Sequence, residues 1–230
     1  VLFGRRYFNL LKNGNFKIIV LTQFHKKFLR KLDVSNERIS VIPNLLNLDA
    51  KQSQIKTSKR EYIVYGGRIS EEKGVEELIQ TFLSCNFDNI YLKIIGNGPS
   101  QSYLQNQYRS DSIQFVKEVS NAEMLDIISN SKGVVTATKL YEGQPTLLCE
   151  ASLLGVPSIF PDTGGIKEFF PLDYKLKFVQ FNYQDLRSKL LNVKDEKLLK
   201  EIGIENKKFL INLLDESLFV DKFKSIIDYE

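Results

Sequence analysis

The chain has 230 residues, 43% hydrophobic and 26% charged, with 13 Gly and 6 Pro. These proportions exclude collagen-like, low-complexity and wholly disordered classes, and no apolar run approaches the roughly 20 residues of a membrane helix. The net charge of +4 is uneven, since residues 1–60 hold 13 Lys/Arg against 3 Asp/Glu and residues 61–230 hold 19 against 25.

In chain order, a helix is predicted near Arg5–Lys12, a buried strand at Lys17–Thr22, an amphipathic helix at Gln23–Leu32 and a second strand at Arg38–Ile42 that ends on Pro43. Residues 46–60 lack any period and are rich in Lys, Gln, Ser and Asn, a linker composition. Apolar runs at Tyr62–Tyr65, Tyr91–Ile95, Ile113–Val116, Gly133–Thr136 and Pro157–Phe160 are each followed by a helical segment. Strands separated by helices of 10–15 residues imply β-α-β units and a parallel sheet covered on both faces. The expected fold class is therefore α/β, a Rossmann-like sheet over residues 61–215. A partial β-α-β piece over residues 1–45 precedes it, and a C-terminal helix over 216–230 follows.

Open sheets of this kind bind ligands beyond the carboxyl ends of their strands. The loop Gly66-Gly67-Arg68-Ile69-Ser70-Glu71-Glu72-Lys73-Gly74 leads from a strand into the helix Val75–Leu83. Its glycines allow close approach of a ligand, and Arg68 and Lys73 are natural partners of phosphate. No Gly-Lys-Ser/Thr follows, so it is not a P-loop. In Gly96-Asn97-Gly98-Pro99 the third glycine of a dinucleotide fingerprint is missing, because position 101 is Gln101. A structural turn and a ligand loop both remain open there. Pro145 fits the first position of a helix confined to about Pro145–Leu154, and its positive end at Gly143–Thr146 is a ready anion site. Glu142 before that helix and Glu150 within it are too far apart for a nucleophile–acid pair. They suit different parts of one extended ligand.

Four motifs occur in order: Gly-Arg-x4-Lys-Gly at 67–74, Gly-Asn-Gly-Pro at 96–99, Glu-x7-Glu at 142–150 and Thr163-Gly164-Gly165-x2-Glu168. Together they resemble the donor-binding half of a retaining GT-B glycosyltransferase of the family 4 type. Val41-Ile42-Pro43-Asn44 is similar to that family's crossing between domains, with Leu45 in place of its glycine. The resemblance implies that Glu142 is catalytic, binding the transferred sugar and stabilising an oxocarbenium-like transition state. It further implies that Arg68 and Lys73 bind the donor diphosphate and that Glu150 holds the ribose hydroxyls. Gly143, Gln144 and Thr146 would aim their amides at sugar or phosphate. Gly67, Asn97, Gly98 and Val119 complete the expected substrate-binding set. Pro145 removes one amide donor, and Lys117 stands where the family has a glycine beside the base. Only the last β-α-β of the acceptor domain is present, so the chain reads as a fragment or reduced form. The alternative is a catalytically incomplete nucleotide-sugar-binding module that borrows an acceptor domain.

No Asp-x-Asp occurs, so a metal-bridged diphosphate is not expected, and neither is a cofactor. His25, the single histidine, reads as a plain helix-surface residue. Cys85 and Cys149 are far apart with no Cys-x-x-Cys, which fits a reducing, cytoplasmic compartment. The expected partners are a nucleotide-sugar donor and a saccharide or lipid-linked acceptor, for surface polysaccharide or glycolipid assembly. The basic front adds peripheral contact with an anionic membrane. No nucleic-acid signature is present.

Overall fold

The structure is a computed structural model that describes residues 2–46 and 61–227, with side chains described from Arg6 onward. The front piece contains helix α1 (Leu2–Asn13), strand β1 (Ile18–Val20), helix α2 (Gln23–Lys31) and strand β2 (Ile39–Val41). β1 and β2 pair in parallel, Ile18 opposite Ile39. Leu11, Leu29, Val34 and Ile39 form a small buried cluster of their own. Thr22 caps α2, its hydroxyl oxygen accepting the His25 N–H, which satisfies one of the donors that a helix start leaves without partners.

The second unit is a six-stranded, all-parallel sheet in the order β5-β4-β3-β6-β7-β8. Its strands are β3 (Tyr62–Gly66), β4 (Tyr91–Ile95), β5 (Ile113–Val116), β6 (Gly133–Val135), β7 (Ser158–Pro161) and β8 (Lys177–Phe178). Ile63, Val64 and Tyr65 in β3 and Val134 and Val135 in β6 are all buried. Such runs are apolar without alternation because helices cover both faces. The covering helices are α3 (Val75–Ser84), α4 (Gln101–Gln107), α5 (Asn121–Ser129), α6 (Thr146–Leu153), α7 (Tyr183–Leu191) and α8 (Glu196–Leu213). In α3, Val75, Leu78, Ile79 and Phe82 fall at helical spacing and are at most 1% exposed. Each such side chain contributes about 1.5–3 kcal/mol on burial. A final helix, α9 (Glu216–Ile227), follows α8.

Several boundaries differ from the sequence reading. α1 starts at Leu2, and β1 and β2 have three residues each. β8 has two residues, too few to show any pattern, and no strand is predicted there. Pro145 is the N-cap of α6 and not its first helical residue, because its ψ is 87°. Proline's fixed φ suits both positions, so the sequence does not separate them. Of the expected linker, Leu46 packs against the main core, while residues 47–60 lie outside the described residues.

Backbone segments meet closely at the carboxyl ends of β3 and β4. A Cβ on Gly96, whose φ is +135°, would lie 2.0 Å from the Gly67 carbonyl oxygen. Gly96→Ala is therefore expected to cost roughly 2 kcal/mol or more, from backbone strain together with the clash. Urea unfolding measures this, and a loss below about 0.5 kcal/mol would contradict the packing described.

Candidate functional site

β3 lies between β4 and β6, and the connections on its two sides run away from each other, which opens a crevice at its carboxyl end. Two adjoining clefts occupy it. The larger, about 490 Å³, is lined by Gly66, Gly67, Arg68, Ile95, Gly96, Asn97, Glu118, Val119, Asn121, Met124, Leu147 and Glu150. The smaller, about 210 Å³, is lined by residues that include Gly67, Arg68, Lys73, Thr138, Glu142, Gln144, Pro145 and Thr146. They share Gly66, Gly67, Arg68 and Leu147, so the two form one trough.

The loop after β3 is held from both sides. The Gly67 N–H donates to the Ile95 carbonyl at 3.0 Å and the Ile69 N–H to the Asn97 carbonyl at 2.9 Å. The buried Tyr65 hydroxyl donates to the Arg68 carbonyl at 2.7 Å. Burial, with the charges of Glu142 and Glu72 adding to it, pushes the Tyr65 phenol well above its ordinary pKa, so it stays a donor. Arg68 thus has a fixed backbone and an exposed guanidinium in no ion pair among the described residues. A short 3-10 turn at Glu71–Lys73 ends on Gly74, whose left-handed φ of 66° lets the chain turn into α3. Lys73 is thereby directed across the crevice.

Its ammonium meets Glu142 Oε1 at 2.6 Å, with the two side chains 27% and 30% exposed. The Thr138 hydroxyl donates to the same oxygen at 3.0 Å. The Glu142 backbone is fixed by a glycine pair. Gly164 (φ +57°) approaches so closely that a Cβ would lie 2.3 Å from the Glu142 carbonyl oxygen. The Gly165 N–H donates to that oxygen at 2.8 Å. Glu142 therefore sits just ahead of the positive end of α6, at Thr146.

Glu150, on α6, differs from Glu142. Its carboxylate lines the larger cleft half-buried, with no hydrogen-bond donor among the described residues, and burial raises its pKa above the usual carboxylate value. An ionised group held this way is poised to accept two donors from a ligand.

Not every predicted site residue is in the trough. A Cβ on Gly98 would lie 2.1 Å from the Ile69 carbonyl oxygen, so its position serves backbone packing. Asn97 lines the larger cleft and donates from Nδ2 to Glu118 Oε2 at 2.9 Å. The Gln144 carboxamide is occupied by the Asn44 backbone, accepting its N–H at 2.7 Å and donating to its carbonyl at 2.9 Å. Gly143 faces the front piece, where a Cβ would lie 2.6 Å from His25 Cε1. His25 is accordingly not a plain surface residue, since its ring covers the backbone beside Glu142 and its Nδ1 is 3.1 Å from the Thr22 hydroxyl. Tyr65 and Thr138 carry no motif in the sequence, and Glu118 lies in the Phe115–Val119 segment without an expected role. Glu168 lay in a motif without a role. No group of three or more His, Cys, Asp or Glu with metal-holding geometry occurs among the described residues.

A profile of the family described as "Glycosyl transferases group 1" matches residues 48–209, most of the chain and the whole trough. The chain belongs to that family. The chain is similar to "Amylovoran biosynthesis glycosyltransferase AmsD" of Erwinia amylovora, 25% identical over 149 residues, which are 62% of the chain and 42% of the relative. It spans less than half the length of the curated relatives it matches. Among solved structures it superimposes on Anabaena Alr3699/HepE in complex with UDP-glucose (TM-score 0.82, 15% identity, 97% of this chain and 67% of that one). It also superimposes on a mutant of S. aureus TarM in complex with fondaparinux, alpha-GlcNAc-glycerol and UDP (TM-score 0.81, 19% identity, 96% and 46%). The fold is thus that of GT-B glycosyltransferases.

The elevated pKa of Glu150 sets a stability expectation. The folded state favours its protonated form, so ionisation costs stability as the pH rises past about 4.5, the ordinary value. Glu150→Gln is expected to raise the melting temperature of the ligand-free chain at pH 7. The gain should vanish at pH 4, where the parent carboxyl is protonated, and a pH series of thermal melts checks both. A lower melting temperature at pH 7 would contradict the unpartnered carboxylate.

Proposed function

We propose that this chain binds the donor for a retaining glycosyltransferase, which moves a sugar from a nucleotide diphosphate to a hydroxyl acceptor in polysaccharide or glycolipid assembly. The observation that carries the reading is one trough in which, among the described residues, Arg68 at the junction of the clefts has no ion pair and Glu150 in the larger cleft has no donor, with the Lys73–Glu142 pair in the smaller cleft. The larger cleft accommodates a nucleoside, with the ribose hydroxyls donating to Glu150 and the base against Val119 and Met124. The diphosphate then crosses Arg68 and Lys73 toward the head of α6. These fixed charges and dipoles stabilise the negative charge that develops on the departing nucleoside diphosphate. Glu142 stands where positive character develops on the sugar, and Thr138 and the Gly164-Gly165 loop hold it there. Lys73 exchanges Glu142 for phosphate as the donor enters. The similarity to AmsD, named for amylovoran biosynthesis, supports a polysaccharide pathway. UDP in the TarM structure and UDP-glucose in the HepE structure make UDP the first probe.

The sequence's lack of an Asp-x-Asp supports donor binding without metal. Calorimetry with UDP should show saturable binding unchanged by EDTA, and UDP at 100 times Kd should add about 2.7 kcal/mol of stability. Glu150→Gln should weaken binding by about 1.5–3 kcal/mol, the contribution of hydrogen bonds to a charged group. Loss of binding in EDTA, or full affinity in Glu150→Gln, would contradict the assignment.

No helix among the described residues is long and apolar enough to cross a membrane. Peripheral contact is proposed instead. Phe24, Lys27, Phe28, Arg30 and Lys31 on α2 line an open groove of about 480 Å³, which offers cations beside aromatic faces. Each cation reaching an anionic surface contributes about 1 kcal/mol, screened over about 8–10 Å at physiological salt. Vesicle co-sedimentation should show binding to anionic lipid at low salt that fades as salt rises. Equal partitioning to neutral and anionic vesicles would contradict it.

A further inference from the structure

We infer that Glu168 is a positioning residue that latches the head of α2 onto the loop carrying Glu142, an inference whose functional meaning rests on the donor-binding reading. Glu168 lies in a 3-10 turn, Ile166–Phe169, immediately after the Gly164-Gly165 pair. Its Oε2 accepts the Gln23 N–H at 2.6 Å and its Oε1 accepts the Phe24 N–H at 2.7 Å, across 145 and 144 residues of chain. Both are first-turn donors that the helix itself cannot satisfy, and a carboxylate at this end also suits the helix dipole. Thr22, from the front piece, takes the third donor, that of His25. One helix start is therefore capped jointly by two parts of the chain.

The contacts that follow converge on the catalytic loop. The Phe24 ring stacks on Tyr141 at 5.6 Å with the planes 29° apart. The His25 ring covers Gly143, and Thr22 lies against Gly165, where a Cβ would come within 2.6 Å of its side chain. Gly165 in turn holds the Glu142 carbonyl. A carboxylate serving only as a cap would affect α2 alone. A latch also sets the position of residues 141–143.

Amide NMR on the full 230-residue chain separates the two roles. Glu168→Ala removes both acceptors, Glu168→Gln keeps one, and Gln23→Pro deletes one donor from the opposite side. Proline is well tolerated at a first helical position, and the extended Thr22 backbone (φ −144°, ψ 155°) suits a following proline. In Glu168→Ala, exchange at the Gln23 and Phe24 amides should rise at least tenfold, with Glu168→Gln intermediate. The Glu142 and Gly143 resonances should shift in all three variants. Amides of Ile63–Tyr65 should keep their protection. If Glu168→Ala loses protection at Ile63–Tyr65, the resonances of Gln23→Pro decide. Faster exchange at Gln23 and Phe24 with unmoved Glu142 and Gly143 would reduce Glu168 to a cap and overturn the inference, as would unchanged exchange. A parent chain that binds no UDP yet shows these shifts keeps the latch and removes the donor reading.

Discussion

The ion pair between Lys73 and Glu142 joins the loop after β3 to the loop before α6, and the rest of the site is arranged around that bridge. It can form because β3 has β4 on one side and β6 on the other, so two β-α connections diverge and leave a crevice between their loops. The bridge is partly exposed, and such pairs contribute little to stability on average. Its significance is that each charge has an alternative use. Under the donor-binding proposal, a diphosphate would compete for Lys73 and a sugar carrying positive character would compete for Glu142.

Around the bridge, some groups are held at a cost in stability. Among the described residues, Glu150 is a half-buried carboxylate with no donor and Arg68 a guanidinium in no ion pair, and a ligand-free fold gains nothing from either. The surrounding structure has to hold them in place. Tyr65 fixes the Arg68 backbone. α6 is secured from behind by α8, where the Asn206 carboxamide donates to the Ser152 hydroxyl and that hydroxyl to the Leu148 carbonyl. The front piece adds a second layer through Gln144 with Asn44 and Glu168 with α2. Loop 141–146 is thus gripped by both parts of the molecule.

Much of this was legible in the sequence, for physical reasons. Strands buried on both faces read as continuous apolar runs, so β3 to β7 were placed to within a residue or two. Arg68 and Lys73 follow a strand end, Glu142 precedes a helix start and Glu150 lies one turn inside that helix, the region where parallel sheets put their ligands. What was not legible depends on contacts between distant residues. Nothing local marks Thr138 as a donor to Glu142, or Gln144 as the partner of the Asn44 backbone. Gly98 and Gly143 resemble ligand-loop glycines in sequence, yet their missing side chains make room for Ile69 and His25. The ψ of Pro145 and the two-residue β8 leave no pattern that a sequence can display.

The central claim is that one continuous trough, running from Val119 past Arg68 to Thr146, receives a nucleoside diphosphate. The most direct measurement is a titration of the isotope-labelled chain with UDP, followed at each backbone amide. Saturable shifts at Gly67, Gly96, Val119 and Thr146, with the α7 amides of Tyr183–Leu191 unmoved, are the predicted result. Shifts scattered over the surface without saturation, or confined to the basic face of α2, would contradict it.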